Sequence, residues 1–170
     1  MTASAAVNLR TPTGFRLSVR PAGPEDDAAL TDFFENVSED DLRFRVPSSI
    51  HTDAGEQIAA MTHADHRQTE DFMIFSGGGD HVIANVMLAA DPKLQTAEVA
   101  ITVHNEFKDQ GIEQTVLEFV ATNAKARGIK KLQSIESRDN HDSIEVERAL
   151  GFTAHGVEGD PMLVLMEQRL

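Results

Sequence analysis

The spacing of the apolar residues changes at Gly111, and this change restricts the folds that the chain can adopt. Before Gly111, residues 72–75, 82–88 and 97–103 form short apolar runs bounded by turn-forming residues, which is typical of strands. After it, apolar residues recur every three or four positions until Gly128, which is typical of one face of a helix. A sequence that contains both periods predicts an α/β (α+β) domain in which helices cover a sheet.

The other elements follow from the same patterns. Residues 15–20 alternate apolar and polar side chains, which predicts a first strand that ends at Pro21. Pro24 and the acidic residues after it are typical of a helix start, and a second helix is predicted from Asp53 to Met61. The remaining segments predict, in order, a strand at 132–135, a helix at 142–150, a small strand at 152–157 and a final strand at 162–166.

The length of the chain suits one domain. A protein of 170 residues buries about 70% of the surface that it exposes when unfolded, which is enough for a core without disulfides. Residues 1–14 are mostly small and polar and include Pro12 and Gly14, so they are predicted to form a flexible leader. The domain itself is expected over residues 15–170.

The charge and composition exclude several classes of function. Fifteen Lys and Arg residues against 28 Asp and Glu residues give a net charge of −13, which repels nucleic-acid phosphates and favours a cationic partner. The sequence has neither an apolar run of about 20 residues nor a secretory leader, so we expect a cytoplasmic protein that does not bind a membrane. The absence of cysteine excludes thiolate metal ligands and cysteine nucleophiles.

The order of elements and several local motifs resemble the GNAT N-acetyltransferase superfamily. These motifs are residues 103–112, which lead into a helix, then Asn140, and then residues 150–152. A closer similarity, to the acetyltransferase domain of bacterial protein-lysine acetyltransferases, rests on residues 19–22, 33–38 and 42–44.

The resemblance implies a fold, an activity and a co-substrate. The fold is a single GNAT-like domain with a mixed, mostly antiparallel central sheet flanked by helices. The activity is the transfer of an acetyl group from acetyl-CoA to a primary amine, either a small cationic amine or a protein lysine, with no metal. The alternative is a catalytically impaired GNAT-fold module that binds or regulates a partner. A homodimer is open to the chain if its final strand is exposed and pairs with a second copy.

The loop before the helix at 112 is where the family binds the pyrophosphate of acetyl-CoA. Free N–H groups at a helix start bind anions, and glycine lets the backbone approach them. The family pattern is (Gln or Arg)-x-x-Gly-x-(Gly or Ala), and only Gly111 fits it plainly. Carboxylates at Asp109 and Glu113 would each repel a phosphate about 6 Å away by about 2–3 kcal/mol per unit charge at an effective dielectric near 20. The six positions of this degenerate loop are Lys108, Asp109, Gln110, Gly111, Ile112 and Glu113.

Two further cofactor contacts are implied by the resemblance. In the family, the backbone of the strand before the loop, here Ile101, Thr102 and Val103, hydrogen-bonds the pantetheine arm. Asn140 matches a position that contacts the cofactor, although an Asn before a helix is equally well an N-cap.

Glu98 is the candidate general base. On an alternating strand, Glu98 shares a face with Ala100, Thr102 and His104, and its position resembles that of the glutamate that deprotonates the amine in lysine-acetylating members. The alternative is a solvated or ion-paired residue on the face of the strand. His104 lies about 20 Å from Glu98 along the strand, so the two cannot form a dyad, and we expect His104 to pack near the loop or face solvent.

The usual general acid of the family is missing. Many members place a tyrosine near the departing sulfur, but this chain contains no tyrosine, and the matching position is Glu147. The substitution lowers the expected turnover without abolishing it, because a thiolate is a tolerable leaving group.

Three other polar segments are interpreted as structural. His51, His63 and His66, with Asp65, lack the spacing of a metal site and are expected to be solvated. Residues 77–79 are three glycines that follow a strand and open no helix, so they predict a hairpin turn and not a phosphate loop. Residues 39–41 are acidic and are expected on a solvated face, close to where GNAT proteins commonly bind the acceptor.

Overall fold

The structure of the chain, a computed structural model, describes residues 6–50 and 53–170. Five helices are described, two of them next to 3₁₀ turns at Pro24–Asp26 and Asn105–Gln110. The helices are α1 Asp27–Glu35, α2 Glu39–Leu42, α3 Ala54–Thr62, α4 Ile112–Ala126 and α5 His141–Ala149. The strands are β1 Val7–Arg10, β2 Arg16–Pro21, β3 Thr69–Ser76, β4 Val82–Ala90, β5 Thr96–Val103, β6 Lys131–Ser137, β7 Thr153–Val157 and β8 Asp160–Arg169.

The strands form one sheet in the order β1-β2-β3-β4-β5-β6-β8-β7. Neighbouring strands are antiparallel except β5 and β6, which are parallel and are joined through α4. The α/β (α+β) fold class and the mixed, mostly antiparallel sheet flanked by helices are therefore confirmed. The one parallel pair occurs where the chain inserts a crossover helix, as parallel neighbours require.

Apolar side chains cover both faces of the sheet. Along β3, Phe72 and Ile74 belong to the apolar cluster that α4 covers, whereas Met73 and Phe75 belong to the cluster formed with α1 and α3. Strands buried on both faces have continuous apolar sequences, which explains the unbroken runs in β3 and β4. The central strands are thus packed on both faces, and the site is built on their ends.

The predicted strands and helices occur in the predicted order, but the expectation about the start of the chain is wrong. Within the predicted flexible leader at residues 1–14, Val7–Arg10 forms β1 and pairs with β2, and Thr11 is buried. The pairing partner is what orders this segment. Residues 1–5 of the leader lie outside the described residues.

The final strand is not at an edge of the sheet. β8 pairs with β6 on one side and with β7 on the other, so its backbone is not free to pair with a second copy. The condition for a homodimer through the final strand is therefore not met, because the C-terminal hairpin places β8 inside the sheet. Within the described part of the chain, no helix is both long and apolar enough to cross a bilayer.

Candidate functional site

A groove opens where the two parallel strands separate. β5 and β6 are paired only as far as Glu98 and Gln133, and beyond that point they diverge. The groove has a volume of about 140 Å³ and lies between Ala100, Ile101 and Val103 of β5 and Ser134, Ile135 and Glu136 of β6. A segment of β5 that is unpaired on one side leaves backbone groups able to bind an extended ligand.

The predicted cofactor loop forms one end of this groove. Gly111 has a φ of 75°, the left-handed region that favours glycine, and it is the N-cap of α4. This conformation turns the chain from the preceding 3₁₀ segment into the helix. Thr11 and Pro12 lie next to Gly111, so the segment after β1 supports the loop.

The structure brings some of the predicted cofactor residues into the groove and not others. Ile101, Val103, Lys108, Asp109, Glu113 and Asn140 line the groove. Thr102, Gln110, Gly111 and Ile112 are not among its described lining residues. Ile112 is fully buried in the core and Thr102 is 2% exposed, so neither side chain is open to a ligand.

The groove is strongly acidic. Of its described lining residues, five are acidic and one, Lys108, is basic. Lys108 forms an ion pair with Asp41, which α2 presents across the groove. This short helix was not predicted, and it makes Asp41 a half-buried partner of Lys108, whereas Glu39 and Asp40 are exposed as expected. An anionic ligand would have to compete with Asp41 for Lys108.

Glu98 lies in a second cavity, of about 350 Å³. The backbone N–H of Ser48 donates to Glu98 Oε2 at 2.6 Å, and the Ser48 hydroxyl donates to Glu98 Oε1 at 2.5 Å. Charged hydrogen bonds of this kind hold a carboxylate in one orientation. Apolar side chains form much of the surrounding wall, namely Phe44, Val46, Pro47, Ile50, Val99 and Leu163.

The two cavities adjoin. Phe44, Ala100 and Ile135 line both the groove and the Glu98 cavity. A molecule in the groove and a second molecule beside Glu98 would therefore meet across these three residues. This is the arrangement that a transfer reaction between two substrates requires.

Three glutamates from separate elements meet beside the groove. Glu113 of α4, Glu136 of β6 and Glu147 of α5 each offer an oxygen, and these oxygens lie within 4.8 Å of one another. The Ser143 hydroxyl donates to Glu113 at 3.0 Å, and the Ser134 hydroxyl donates to Glu136 at 3.0 Å. Hydroxyl donors thus orient two of the three carboxylates.

The environment of Glu113 and of Glu147 raises the pKa of each carboxyl. Burial, followed by repulsion from Glu136, raises the pKa of Glu113 to about 7. Burial, followed by interaction with Glu136, raises the pKa of Glu147 far above its usual value. Glu147, which the resemblance matches to the family tyrosine, is 3% exposed.

Asn140 has the geometry of an N-cap. Its Oδ1 accepts from the backbone N–H of Ser143 at 3.4 Å, and its Nδ2 donates to Glu136 at 3.2 Å. Asn140 also lines the groove, so the cap and the cofactor contact remain compatible.

The histidines do not form a metal site within the described residues. His104 is buried between the rings of Phe33 and Phe107, and its Nδ1 accepts from the backbone of Glu106, as expected for a packed residue. His63 is exposed at the end of α3, and His66 bonds to Glu70 at 2.7 Å. His51 lies outside the described residues. The residues 77–79 form the β3–β4 turn, as predicted.

Sequence reasoning missed Ser48, Asp41 as a partner of Lys108, and the role of Glu136. Glu136 follows Ser134 at the spacing of one strand face, which is a usable signal for a shared site. Ser48 is in an irregular segment 50 residues from Glu98, so no local pattern connects them.

Comparisons with known proteins identify the fold. A family model described as an acetyltransferase (GNAT) domain matches residues 16–153. The GNAT domain of S. lividans PAT is 24% identical with a TM-score of 0.82, and the alignment covers 97% of each chain.

Two further solved structures share the architecture. A cAMP-binding acyltransferase from Mycobacterium smegmatis is 19% identical with a TM-score of 0.66, and the match covers 97% of this chain but 47% of that one. RimL, a ribosomal L7/L12 alpha-N-protein acetyltransferase in complex with coenzyme A, is 19% identical with a TM-score of 0.70, over 91% and 94% of the two chains. At these identities the likeness establishes the fold.

Proposed function

Because the chain belongs to the GNAT acetyltransferase family, we propose that it transfers an acetyl group from acetyl-CoA to a primary amine. The observation that carries this proposal is the meeting of the groove and the Glu98 cavity at Phe44, Ala100 and Ile135. The co-substrate would lie in the groove, along the unpaired part of β5, and the amine would enter beside Glu98.

Glu98 supplies the base in this proposal. The amine reaches the enzyme as an ammonium ion, and Glu98 accepts one proton from it, directly or through water. The free amine then forms a bond to the acetyl carbon, and the bond from that carbon to sulfur breaks. The second proton, released as the amide forms, neutralises the departing thiolate. Because the reaction itself provides this proton, turnover does not require the missing tyrosine.

The acidic surface supports a cationic acceptor. Glu39 and Asp40 are exposed beside Asp41, and the chain carries a net charge of −13. An ammonium group on a small amine or on a protein lysine is attracted to such a surface. The described function of RimL as a protein acetyltransferase supports testing protein amines first.

The acidity of the groove favours a second candidate, a GNAT-fold module that has lost turnover and binds or regulates a partner. Asp41 forms an ion pair with Lys108, and Asp109 and Glu113 of the loop that the resemblance assigns to pyrophosphate line the groove. A carboxylate about 6 Å from a phosphate costs about 2–3 kcal/mol per unit charge at an effective dielectric near 20, before screening by salt. Such repulsion weakens cofactor binding at least tenfold.

Titration calorimetry with acetyl-CoA at moderate salt distinguishes the two candidates. Binding at micromolar concentration, followed by acetylation of lysine peptides or small amines, is the result expected of the enzyme. The absence of binding at millimolar acetyl-CoA would overturn the enzyme proposal and favour the binding module. Coenzyme A without the acetyl group serves as the control for binding that does not depend on the thioester.

A further inference from the structure

The cluster of Glu113, Glu136 and Glu147 has the composition of a cation site. Its three carboxylates come from α4, β6 and α5, so the fold brings together residues that are distant in sequence. Within the described residues, none of the three carboxylates forms an ion pair with Lys, Arg or His. Burying several like charges without a counter-charge is unfavourable unless a cation or protons neutralise them.

An unpartnered oxygen provides a second observation. Glu147 is 3% exposed, and its Oε2 is buried without a hydrogen-bond partner among the residues described. A buried carboxylate oxygen almost always has a partner in a folded protein. A carboxylate oxygen of Glu147 lies within 4.8 Å of an oxygen of Glu113 and of Glu136, so the side chain is directed into the cluster. The missing partner is therefore expected inside the cluster.

We propose that Glu113, Glu136 and Glu147 bind a hard divalent cation, Ca²⁺. An all-oxygen donor set suits Ca²⁺, Mg²⁺ or Mn²⁺ rather than softer metals. Ca²⁺ accepts about six to eight oxygen ligands in a flexible geometry, whereas Mg²⁺ demands a near-ideal octahedron and usually keeps several waters. A site built mainly from protein carboxylates therefore suits Ca²⁺ better than Mg²⁺.

The surroundings of the cluster favour entry and retention of the ion. Glu113 and Glu136 line the groove together with Asp41, Asp109 and Asp142, so the route from solvent is lined by negative charge. Ser143 and Ser134 each donate to a carboxylate, and Asn140 donates to Glu136. Such hydrogen bonds to ligand carboxylates hold them in position for a metal.

This site goes beyond the expectation of a protein without a metal, and it does not depend on the proposed acetyl transfer. Along the chain only the histidines at positions 63 and 66, with Asp65, stand close enough together to draw attention as metal ligands. Glu113, Glu136 and Glu147 are separated by more than ten residues each, and the fold alone makes them neighbours.

The test is titration calorimetry of the metal-free protein with CaCl₂, after treatment with a chelator, together with thermal unfolding in Ca²⁺ and in EDTA. We expect saturable binding and a higher midpoint of unfolding in Ca²⁺, because an ion that binds only the folded state stabilises it. Glu147→Gln keeps the shape of the side chain, and we expect it to raise the Kd for Ca²⁺ by about tenfold or more.

Glu145→Gln is the matched control, because Glu145 is exposed on the same helix and carries the same charge. We expect its Kd to stay within about twofold of the wild-type value. Circular dichroism in EDTA checks that Glu147→Gln folds, and Glu113→Gln provides a second test from another element. Absence of binding at millimolar Ca²⁺, or equal affinity of the wild type and Glu147→Gln, would overturn the proposal. Protons shared between the carboxyl groups would then neutralise the cluster.

Discussion

Ser48 holds the Glu98 carboxylate at both of its oxygens, through a backbone N–H at 2.6 Å and a hydroxyl at 2.5 Å. The serine is exposed, in the irregular segment between α2 and α3, and it brings this segment against β5. Each Glu98 oxygen accepts one of these bonds and keeps a further lone pair, so the carboxylate can still take the proton of the amine. The Ser48 contact therefore fixes the resting orientation of the proposed base.

Replacing Glu98 tests its role as the base. Glu98→Gln retains the shape and one acceptor, but the amide cannot take a proton from the ammonium group. We expect kcat for peptide acetylation to fall about 100-fold or more, with little change in acetyl-CoA affinity, because the co-substrate lies in the adjoining groove. Steady-state kinetics and calorimetry measure the two quantities. Ser48→Ala is the control, since it keeps the carboxylate, and turnover unchanged in Glu98→Gln would remove Glu98 from the mechanism.

Asp71 is predicted to be a neutral acid in the core. It is fully buried, its Oδ1 accepts from Asn85 at 2.7 Å, and burial raises its pKa well above the usual value. Within the described structure, Asp71 Oδ2 and Asn85 Oδ1 have no partners. A proton on Asp71 supplies the donor that an acid–amide pair needs. Asp71→Asn should therefore preserve the free energy of unfolding at neutral pH, whereas Asp71→Ala should lower it by about 1–3 kcal/mol.

The pH dependence of Asp71 follows from the sign of its shift. Because the pKa of Asp71 is higher in the folded state, the folded protein binds the proton more tightly than the unfolded chain does. The resulting contribution to the free energy of unfolding is full below about pH 4, and it decreases as the pH rises toward the folded pKa. Urea unfolding of the wild type and Asp71→Asn between pH 5 and 8, followed by circular dichroism, should show the wild type losing stability relative to the variant. If the free energies of unfolding of the two proteins changed in parallel with pH, Asp71 would not be protonated in the folded state.

The sheet and the long helices could be predicted from the sequence because their signal is local. The 3.6-residue period of α4 and the apolar runs of β3 and β4 result from burial against the core, and each pattern is visible in the sequence of that segment alone. β1 shows no such pattern, because four residues are too few to show a period. These residues form a strand because they pair with β2. The four-residue helix α2 was missed for the same reason.

Much of the candidate site depends on contacts between distant segments. Glu98 and the loop at 108–113 were identified from a resemblance that extends over the chain. The bond from Ser48 and the meeting of Glu113, Glu136 and Glu147 leave no local pattern, because a glutamate that will be buried is indistinguishable in sequence from one that faces solvent. The polar residues that fill the groove thus become visible only after folding.

The pair of Arg20 and Asp26 is predicted to control stability in acid. Arg20 donates to both oxygens of Asp26 at 2.8 Å, and the backbone N–H of Gly23 donates at 2.8 Å. The bonds from Arg20 are the main cause of the lowered pKa of Asp26. A lowered folded pKa gives stability that is present above the unfolded value of about 3.9 and is lost as the pH falls through the folded pKa.

Asp26→Asn tests this linkage. We expect the free energy of unfolding of the variant to be about 1–3 kcal/mol lower at pH 7, because the half-exposed arginine loses its charged partner. On acidification, the free energy of unfolding should fall less in the variant than in the wild type. Asp32→Asn, on the exposed side of α1, is the matched control and should follow the wild type. Urea unfolding at pH 7 and pH 3.5 measures both, and equal sensitivity to acid in Asp26→Asn and the wild type would exclude the pair as its cause.

The ion pair between Lys108 and Asp41 should limit cofactor affinity. Asp41→Asn removes a carboxylate from the groove and releases the ammonium group of Lys108, which becomes available to a phosphate. Both changes favour an anionic ligand, so we expect the Kd for acetyl-CoA to fall by about fivefold to tenfold at low salt, an effect that decreases as salt screens the charges. Asp40→Asn is the matched control, since Asp40 is exposed on the same short helix and forms no ion pair with any described residue. Calorimetry in EDTA excludes any effect of a cation at the neighbouring glutamates. Equal affinity for acetyl-CoA in Asp41→Asn, Asp40→Asn and the wild type would mean that the phosphates bind away from Lys108.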